Sequence, residues 1–222
     1  MTSPLQRTST KAPPRKGSST TTPAAAKNAS QGRVRIIAGN WRRTVLPVAN
    51  KPGLRPTPDR VRETLFNWLG QDFSGLYCLD AFAGSGALGF EAASRNAAQV
   101  VLVEQDRLVT TQLQANALRL AASNIQIQRG DGLQALRQTP LNASGWDVIF
   151  IDPPYAAQLE QPALQAARHS LRPDGLVYLE SAQQWNTNIL AEHGWLLQHY
   201  LKAGAVHAHV LQRLEPIEPP PL

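Results

Sequence analysis

From residue 76 onward, short apolar runs alternate with longer segments of helical spacing, and this alternation is what most restricts the folds open to the chain. The strand-like runs fall at residues 76–82, 99–104, 125–128, 146–152 and 175–180, and the helix-like segments near 87–95, 108–121, 133–138 and 161–171. Parallel neighbours in a sheet need a crossover between them, most often a helix. Strict alternation therefore predicts βαβ units, and with them a parallel sheet carrying helices on both faces. The last stretch differs. Runs 195–200 and 205–214, joined by Leu201-Lys202-Ala203-Gly204, read as a terminal antiparallel hairpin. The predicted class is α/β, doubly wound and Rossmann-like, with a mostly parallel seven-stranded sheet ending in that hairpin. In such a sheet a ligand binds outside the carboxyl ends of the strands. No internal repeat is present.

A smaller unit precedes the alternating part. Runs 33–37 and 41–48 flank Ala38-Gly39-Asn40, a hairpin signal. The hairpin carries Arg33, Arg35, Arg42 and Arg43, with Trp41 among them; an indole there either stacks on a base or packs across the strands. Leu54-Arg55-Pro56-Thr57-Pro58-Asp59 then opens a helix that runs to about Leu69. Thr57 suits the N-cap, Pro58 the first helical position, and Asp59 the positive helix end. Val61, Leu65 and Trp68 share one face and are expected in the core.

Charge is divided along the chain. No acidic residue occurs before Asp59, whereas eleven basic ones do; the remainder holds 11 basic and 16 acidic residues, a net of −5. A basic amino-terminal quarter on a mildly acidic body suggests a polyanionic partner met by that quarter, the alternative being a merely solvated tail. Ser, Thr, Pro and Ala supply 20 of residues 1–32. Such a segment buries too little apolar surface to offset its ordering entropy and is expected to be disordered. It lacks the apolar centre of a secretory signal, although its acid-free, Ser/Thr-rich character resembles an organellar transit peptide. The expected organisation is a basic tail over 1–32, a hairpin and helix over 33–70, a catalytic-size domain over 71–214, and a flexible tail over 215–222. A single cysteine excludes an intramolecular disulfide framework and any multi-cysteine metal site. No apolar run approaches the roughly 20 residues of a membrane span, so a cytoplasmic protein without membrane contact is expected.

The first strand of the alternating part ends in Leu79-Asp80-Ala81-Phe82-Ala83 and runs into Gly84-Ser85-Gly86-Ala87-Leu88-Gly89. The spacing is G-x-G-x-x-G between a strand and a helix, where glycines let the backbone turn sharply and approach a ligand. Glu104, twenty residues past Gly84 at the end of the second strand, is placed to accept both hydroxyls of a ribose. This much specifies an adenosine-containing cofactor, and NAD and S-adenosylmethionine both satisfy it. Asp80 favours the second: a carboxylate repels a pyrophosphate and attracts the ammonium group of an amino acid. Asp131, in Gly130-Asp131-Gly132 after the third strand, is either an acceptor for an adenine amino group or a helix N-cap. Phe82 and Gln105 complete the expected cofactor-binding set.

The fourth strand delivers Asp152-Pro153-Pro154-Tyr155 at its carboxyl end. Two prolines stop the strand and fix φ, and Pro154 has no N–H to occupy nearby acceptors. The Asp152 carboxylate and the Pro153 carbonyl are then free to converge on a cleft, with Tyr155 offering a flat face to a planar ring. That set suits methylation of an exocyclic amine on a conjugated ring. Two acceptors gripping its N–H bonds favour the pyramidal form that aims the lone pair, and they stabilise positive charge developing on nitrogen. Asp152, Pro153, Pro154 and Tyr155 are the predicted catalytic residues. No metal is required. Cys78 and the tryptophans Trp146, Trp185 and Trp195 read as packing; His207 and His209 share a strand face without a third ligand; His169, His193 and His199 form no constellation.

Over residues 33–214 the chain resembles the bacterial enzymes that methylate N2 of guanine 966 in 16S rRNA. The likeness runs through Arg35-Ile36-Ile37-Ala38-Gly39-Asn40-Trp41-Arg42, then Gly53-Leu54-Arg55-Pro56-Thr57-Pro58-Asp59-Arg60-Val61-Arg62-Glu63-Thr64-Leu65-Phe66, then Phe82–Gly89, Asp152–Tyr155 and Leu179-Glu180-Ser181. The glycine and proline motifs occur in many methyltransferases, whereas the run 55–66 is far more particular to this family. The resemblance implies a class I methyltransferase fold using S-adenosylmethionine and acting on rRNA of the assembled or assembling small subunit; a monomer is expected. It also implies that Arg35, Trp41, Arg42, Arg43, Arg55, Arg60 and Arg62 face RNA; for Arg62 a pairing with Asp59 is the competing role. The Ser/Thr-rich leader lies outside the family pattern. Rival functions are methylation of DNA adenine or protein glutamine, nicotinamide-dependent oxidoreduction, and a noncatalytic RNA-binding module. A DNA enzyme normally adds a recognition domain that this chain has no room for, and a nicotinamide enzyme leaves Asp80 and the Pro-Pro-Tyr turn unexplained.

Overall fold

A computed structural model describes residues 32–214; the expectations for residues 1–31 and 215–222 lie outside the described residues. The chain begins with two short strands, β1 (Arg33–Arg35) and β2 (Val45–Pro47), and a helix, α1 (Asp59–Leu69). Strands and helices then alternate: β3 (Tyr77–Asp80), α2 (Ala87–Ser94), β4 (Gln99–Glu104), α3 (Arg107–Arg119), β5 (Ile125–Arg129), α4 (Gly132–Ala135) and β6 (Trp146–Ile151). A single 3-10 turn at Tyr155–Ala157 leads to α5 (Glu160–Ala167), β7 (Leu171–Ser181), α6 (Thr187–Glu192), β8 (Trp195–Ala203) and β9 (Val206–Arg213).

Seven strands form one sheet in the order β5-β4-β3-β6-β7-β9-β8. The first five are parallel, and β9 runs antiparallel to both β7 and β8. The strand order reverses between β3 and β6, so their carboxyl ends flank the crevice in which doubly wound sheets bind ligands. The glycine loop leaves β3 there, and Asp-Pro-Pro-Tyr leaves β6. Asp80 pairs in register with Phe150, which sets Asp152 two residues beyond Asp80 on the neighbouring strand.

Side chains alternate across the sheet with the two-residue period of a strand. Val100 and Leu102 join Cys78, Phe90, Phe150 and Tyr178 in the core on one face, while Val101 and Val103 join Leu79, Ile149, Ile151 and Leu179 on the other. Each such side chain contributes about 1.5–3 kcal/mol through burial. On the first face Phe66 of α1 meets Phe73 and Phe150 at centroid distances of 5.3 and 6.1 Å, which locks α1 against the sheet.

Local structure departs from the sequence expectation at a few places. The amino-terminal hairpin pairs Arg33–Arg35 with Val45–Pro47 and closes with the Ile36 N–H donating to the Thr44 carbonyl at 2.9 Å and the Arg43 N–H to the Ile36 carbonyl at 2.8 Å, so residues 37–42 form a longer loop instead of a tight Gly-Asn turn. Docking decides this: the Asn40 N–H donates to the carbonyl of Ser94 at 2.7 Å. Gly39, at φ 78°, lies so close that an added Cβ would fall 1.8 Å from that carbonyl oxygen. Helix α1 starts at Asp59 with Pro58, not Thr57, at the cap; the Thr57 carbonyl instead accepts from Arg62 Nε at 3.2 Å. Strand β7 begins at Leu171, earlier than expected, and the short α6 was not anticipated. Asn186 starts that helix by accepting from the Ile189 N–H.

Candidate active site

One half of the cleft is built from backbone turns and three carboxylates. Gly86 holds φ 77°, and a Cβ there would meet the Phe90 ring at 2.6 Å and Leu113 at 2.7 Å, so only glycine lets α2 start where it does. Asp80 is buried, and its Oδ2 accepts from the Gly89 N–H at 3.0 Å. Burial pushes its carboxyl up to about 7; the Gly89 N–H opposes that shift and the charge of Glu104 adds to it. Glu104 accepts from the Gly84 N–H at 3.1 Å through Oε2 and from the Asp106 N–H at 2.8 Å through Oε1. Each carboxylate oxygen has two lone pairs, so both retain capacity for a ligand hydroxyl. Asp131 caps α4, its Oδ1 accepting from the Gln134 N–H at 2.8 Å. Phe82 packs its ring on Gly132, and Gln105 is exposed with its carbonyl accepting from Arg129 Nε at 3.3 Å.

The other half comes from β6 and β7. Asp152 is partly buried and Pro153 buried, while Pro154 and Tyr155 are exposed. The Tyr155 hydroxyl donates to Glu180 Oε1 at 3.0 Å, and the Tyr178 hydroxyl donates to Glu180 Oε2 at 2.9 Å. Burial, then the charges of Glu180 and Asp80, holds Asp152 well above the usual carboxylate range. Glu180 is itself pushed up by burial, against the two tyrosine hydroxyls that stabilise its charge. Among the described residues, no ion pair reaches Asp80, Glu104, Asp152 or Glu180, although other ion pairs form among them. A crevice lined by unneutralised carboxylates suits a cationic ligand, and a sulfonium that also carries an ammonium group fits that donor set.

The segment between the amino-terminal hairpin and α1 passes over this cleft. Leu54 Cδ1 lies 3.2 Å from the position of a Cβ on Gly84, and Lys51 Nζ pairs with Asp106 Oδ2 at 2.7 Å. Arg55, exposed on this segment, is therefore near the glycine loop. Arg42, Arg43 and Arg60 are exposed as well, and Arg35 is exposed while paired with Asp59 at 2.8 Å. Trp41 is half-buried and packs against the first core face.

Arg62 requires a correction. It is fully buried and cannot face RNA. Its guanidinium donates to the carbonyls of Thr57 and Arg35, to Asp59 Oδ1 at 2.6 Å and to Glu91 Oε2 at 3.4 Å. Glu91 was missed altogether in the sequence. It gathers Arg62, Arg95 and the N–H groups of Ile37 and Ala38 into one buried cluster. A glutamate inside the otherwise apolar stretch Ala87-Leu88-Gly89-Phe90-Glu91-Ala92-Ala93 is the signal that marks it. Glu180 was likewise not singled out, though a carboxylate at the carboxyl end of a central strand belongs to the crevice by position.

No helix among the described residues is long and apolar enough to cross a membrane, and no group of three or more His, Cys, Asp or Glu among them is arranged to hold a metal ion.

Sheet order, crevice and glycine loop together define a Rossmann-like fold, and the relatives that share it make the class methyltransferase. The protein-family model described as "Conserved hypothetical protein 95" matches residues 34–212. Ribosomal RNA small subunit methyltransferase D of Escherichia coli is 41% identical over 190 residues, covering 84% of this chain and 93% of that protein. Its Haemophilus influenzae namesake is 40% identical over 187 residues, covering 82% and 95%. The solved structure of Escherichia coli yhhF, provisionally named a methyltransferase, superposes with a TM-score of 0.71 at 40% identity, covering 83% of this chain and all of that one. The chain belongs to the ribosomal RNA small subunit methyltransferase D family.

Proposed function

We propose that this protein transfers a methyl group from S-adenosylmethionine to the exocyclic N2 amine of guanine 966 in 16S rRNA, within the small ribosomal subunit or its assembly intermediate in the cytoplasm, acting as a monomer. The observation that carries the reading is the meeting of two loops at one reversal of strand order: the glycine loop with Asp80 and Glu104 on one side, Asp152-Pro153-Pro154-Tyr155 on the other. S-adenosylmethionine, when bound, supplies an electrophilic methyl carbon on a sulfonium. Asp80 is the partner for its ammonium group, Glu104 for the ribose hydroxyls, and Phe82, Gln105 and Asp131 border the adenine. The names of the two relatives above support ribosomal RNA as substrate.

On the substrate side, the Asp152 carboxylate and the Pro153 carbonyl accept the two N–H bonds of the guanine amine. This directs the nitrogen lone pair at the methyl carbon and stabilises positive charge as nitrogen becomes tetrahedral. Tyr155 stacks on the purine. The surplus proton leaves to Asp152, whose raised proton affinity suits that role, or to water. Arg35, Arg42, Arg43, Arg55 and Arg60 meet phosphates, which position the substrate without reading its sequence.

The test is transfer of label from methyl-labelled S-adenosylmethionine to small subunits that lack the modification, run beside naked rRNA, large subunits and duplex DNA. Label confined to small-subunit RNA is the expected result. Label only in DNA or in protein would replace the substrate assignment.

A further inference from the structure

We propose that Glu180 is a positioning residue of this reaction: its carboxylate fixes the Tyr155 ring at the wall of the cleft and sets a second negative charge beside Asp152. The inference rests on the methyl-transfer reading above. Tyr155 sits on a single 3-10 turn and is 43% exposed, so packing alone does not hold its ring. What holds it is the hydroxyl, bonded to Glu180 Oε1 at 3.0 Å. Glu180 is anchored in turn through Oε2 to the hydroxyl of Tyr178, which is fully buried and set edge-on to Phe150 at 6.4 Å. A continuous path thus runs from the core of β6 and β7 to the one aromatic face at the catalytic loop. Holding that face costs the substrate less ordering when the base stacks.

The second effect is electrostatic. The groups facing Asp152 are Glu180 from β7, Asp80 from β3 and the phenols of Tyr155 and Tyr178; Glu160 of α5 faces Tyr155, and Glu104 faces Asp80. All are acidic. Ile151 pairs in register with Leu179, which sets Glu180 beside Asp152 at the carboxyl ends of β6 and β7, and the Glu180 charge there adds to the raised proton affinity of Asp152.

Glu180→Gln, Tyr155→Phe and the double variant separate these roles, with methyl transfer to small subunits followed over pH. Each single variant is expected to lower kcat/KM by roughly tenfold, the low end of what an ordered base–aromatic stack is worth, because the ring stays but is no longer held. The double variant is expected to lose no more than the worse single, because both act through one contact. Glu180→Gln also moves the acid limb of the pH profile to lower pH by removing a charge beside Asp152; Tyr155→Phe does not. Losses that multiply, or an acid limb unmoved by Glu180→Gln, would overturn the proposal. An arm free of substrate uses ring-labelled tyrosine and NMR: the Tyr155 resonance shifts toward that of free tyrosine in Glu180→Gln, and an unchanged resonance is an overturning result. Tyr155→Phe lies at the exposed rim and leaves the fold intact should the buried variant prove unstable. A wild type that methylates no RNA refutes the function above, while the NMR arm still decides the role of Glu180.

Discussion

Arg62 and Glu91 face each other with neither side chain exposed, Nη1 to Oε2 at 3.4 Å, across the junction between the amino-terminal unit and helix α2. Glu91 adds Arg95 and two loop N–H groups. One buried carboxylate thereby ties the basic hairpin loop to the helix that begins at the glycine loop. Removing one partner of a buried pair leaves an uncompensated charge and costs about 3–5 kcal/mol. Glu91→Ala is expected to lose at least about 3 kcal/mol, which at roughly 2–4 °C per kcal/mol for a domain of this size lowers Tm by about 10 °C. Thermal denaturation followed by circular dichroism checks this, and a Tm within a degree or two of wild type would show that the cluster carries little.

Exposed arginines should behave in the opposite way. Arg42 and Arg43 are both exposed on the loop between β1 and β2, and the Arg42→Ala/Arg43→Ala double variant is expected to keep wild-type stability within about 0.5 kcal/mol. Its affinity for small subunits should fall, and the slope of log K against log salt should become shallower by about 1–2. Filter binding across a salt series measures this; an unchanged slope removes the loop from the RNA interface.

Asp80 predicts a pH dependence of cofactor affinity. Folding raises its carboxyl from 3.8 to about 7, so between those values the folded chain holds a proton that the unfolded chain has released. Asp80 accordingly takes stability away as pH rises from about 4 to about 7 and contributes no further change above. An ammonium ligand favours the ionised form, so S-adenosylmethionine should bind more tightly as pH climbs toward 8 and release a proton on binding near pH 6. Calorimetric titration in buffers of different ionisation enthalpy reads both effects. Asp80→Asn is expected to weaken binding tenfold or more and to flatten the pH curve; a curve that persists in the variant assigns the titration elsewhere.

Gly86→Ala tests the loop itself. A side chain at φ 77° costs about 1–2 kcal/mol, and contact with Phe90 and Leu113 adds about 1–3 kcal/mol of overpacking. The expected result is a Tm lowered by several degrees, with cofactor affinity reduced further than Gly53→Ala reduces it, since a Cβ on Gly53 meets nothing within 4 Å. Equal losses at the two positions would mean that close packing at Gly86 is immaterial.

The fold was legible because strand burial writes itself into local sequence. The run Val100-Val101-Leu102-Val103 is apolar throughout since its alternate residues enter two different cores, and no surface strand would carry such a pattern. The carboxylates Asp80 and Asp152 were legible because each lies at the end of a strand that leads into a chain-turning motif, Asp80 four residues before Gly84 and Asp152 directly before Pro153. Glu91 and Arg62 were harder. Nothing local tells a helical Arg that its partner lies 29 residues away, so Arg62 looked like its exposed neighbour Arg60. The amino-terminal hairpin misled for a similar reason: Gly39 and Asn40 favour a tight turn by themselves, but the bond from Asn40 to Ser94 wins.

In the proposed reaction the Asp152 carboxylate acts at a guanine amine. Small subunits from cells lacking this activity would be treated with wild type or with Asp152→Ala in the presence of S-adenosylmethionine, and the RNA digested for nucleoside mass spectrometry and mapped. The predicted result is N2-methylguanosine at position 966 with wild type and at least a hundredfold less with the variant, which still binds the cofactor. Equal product from the two proteins, or a methylated adenine in place of guanine, would contradict it.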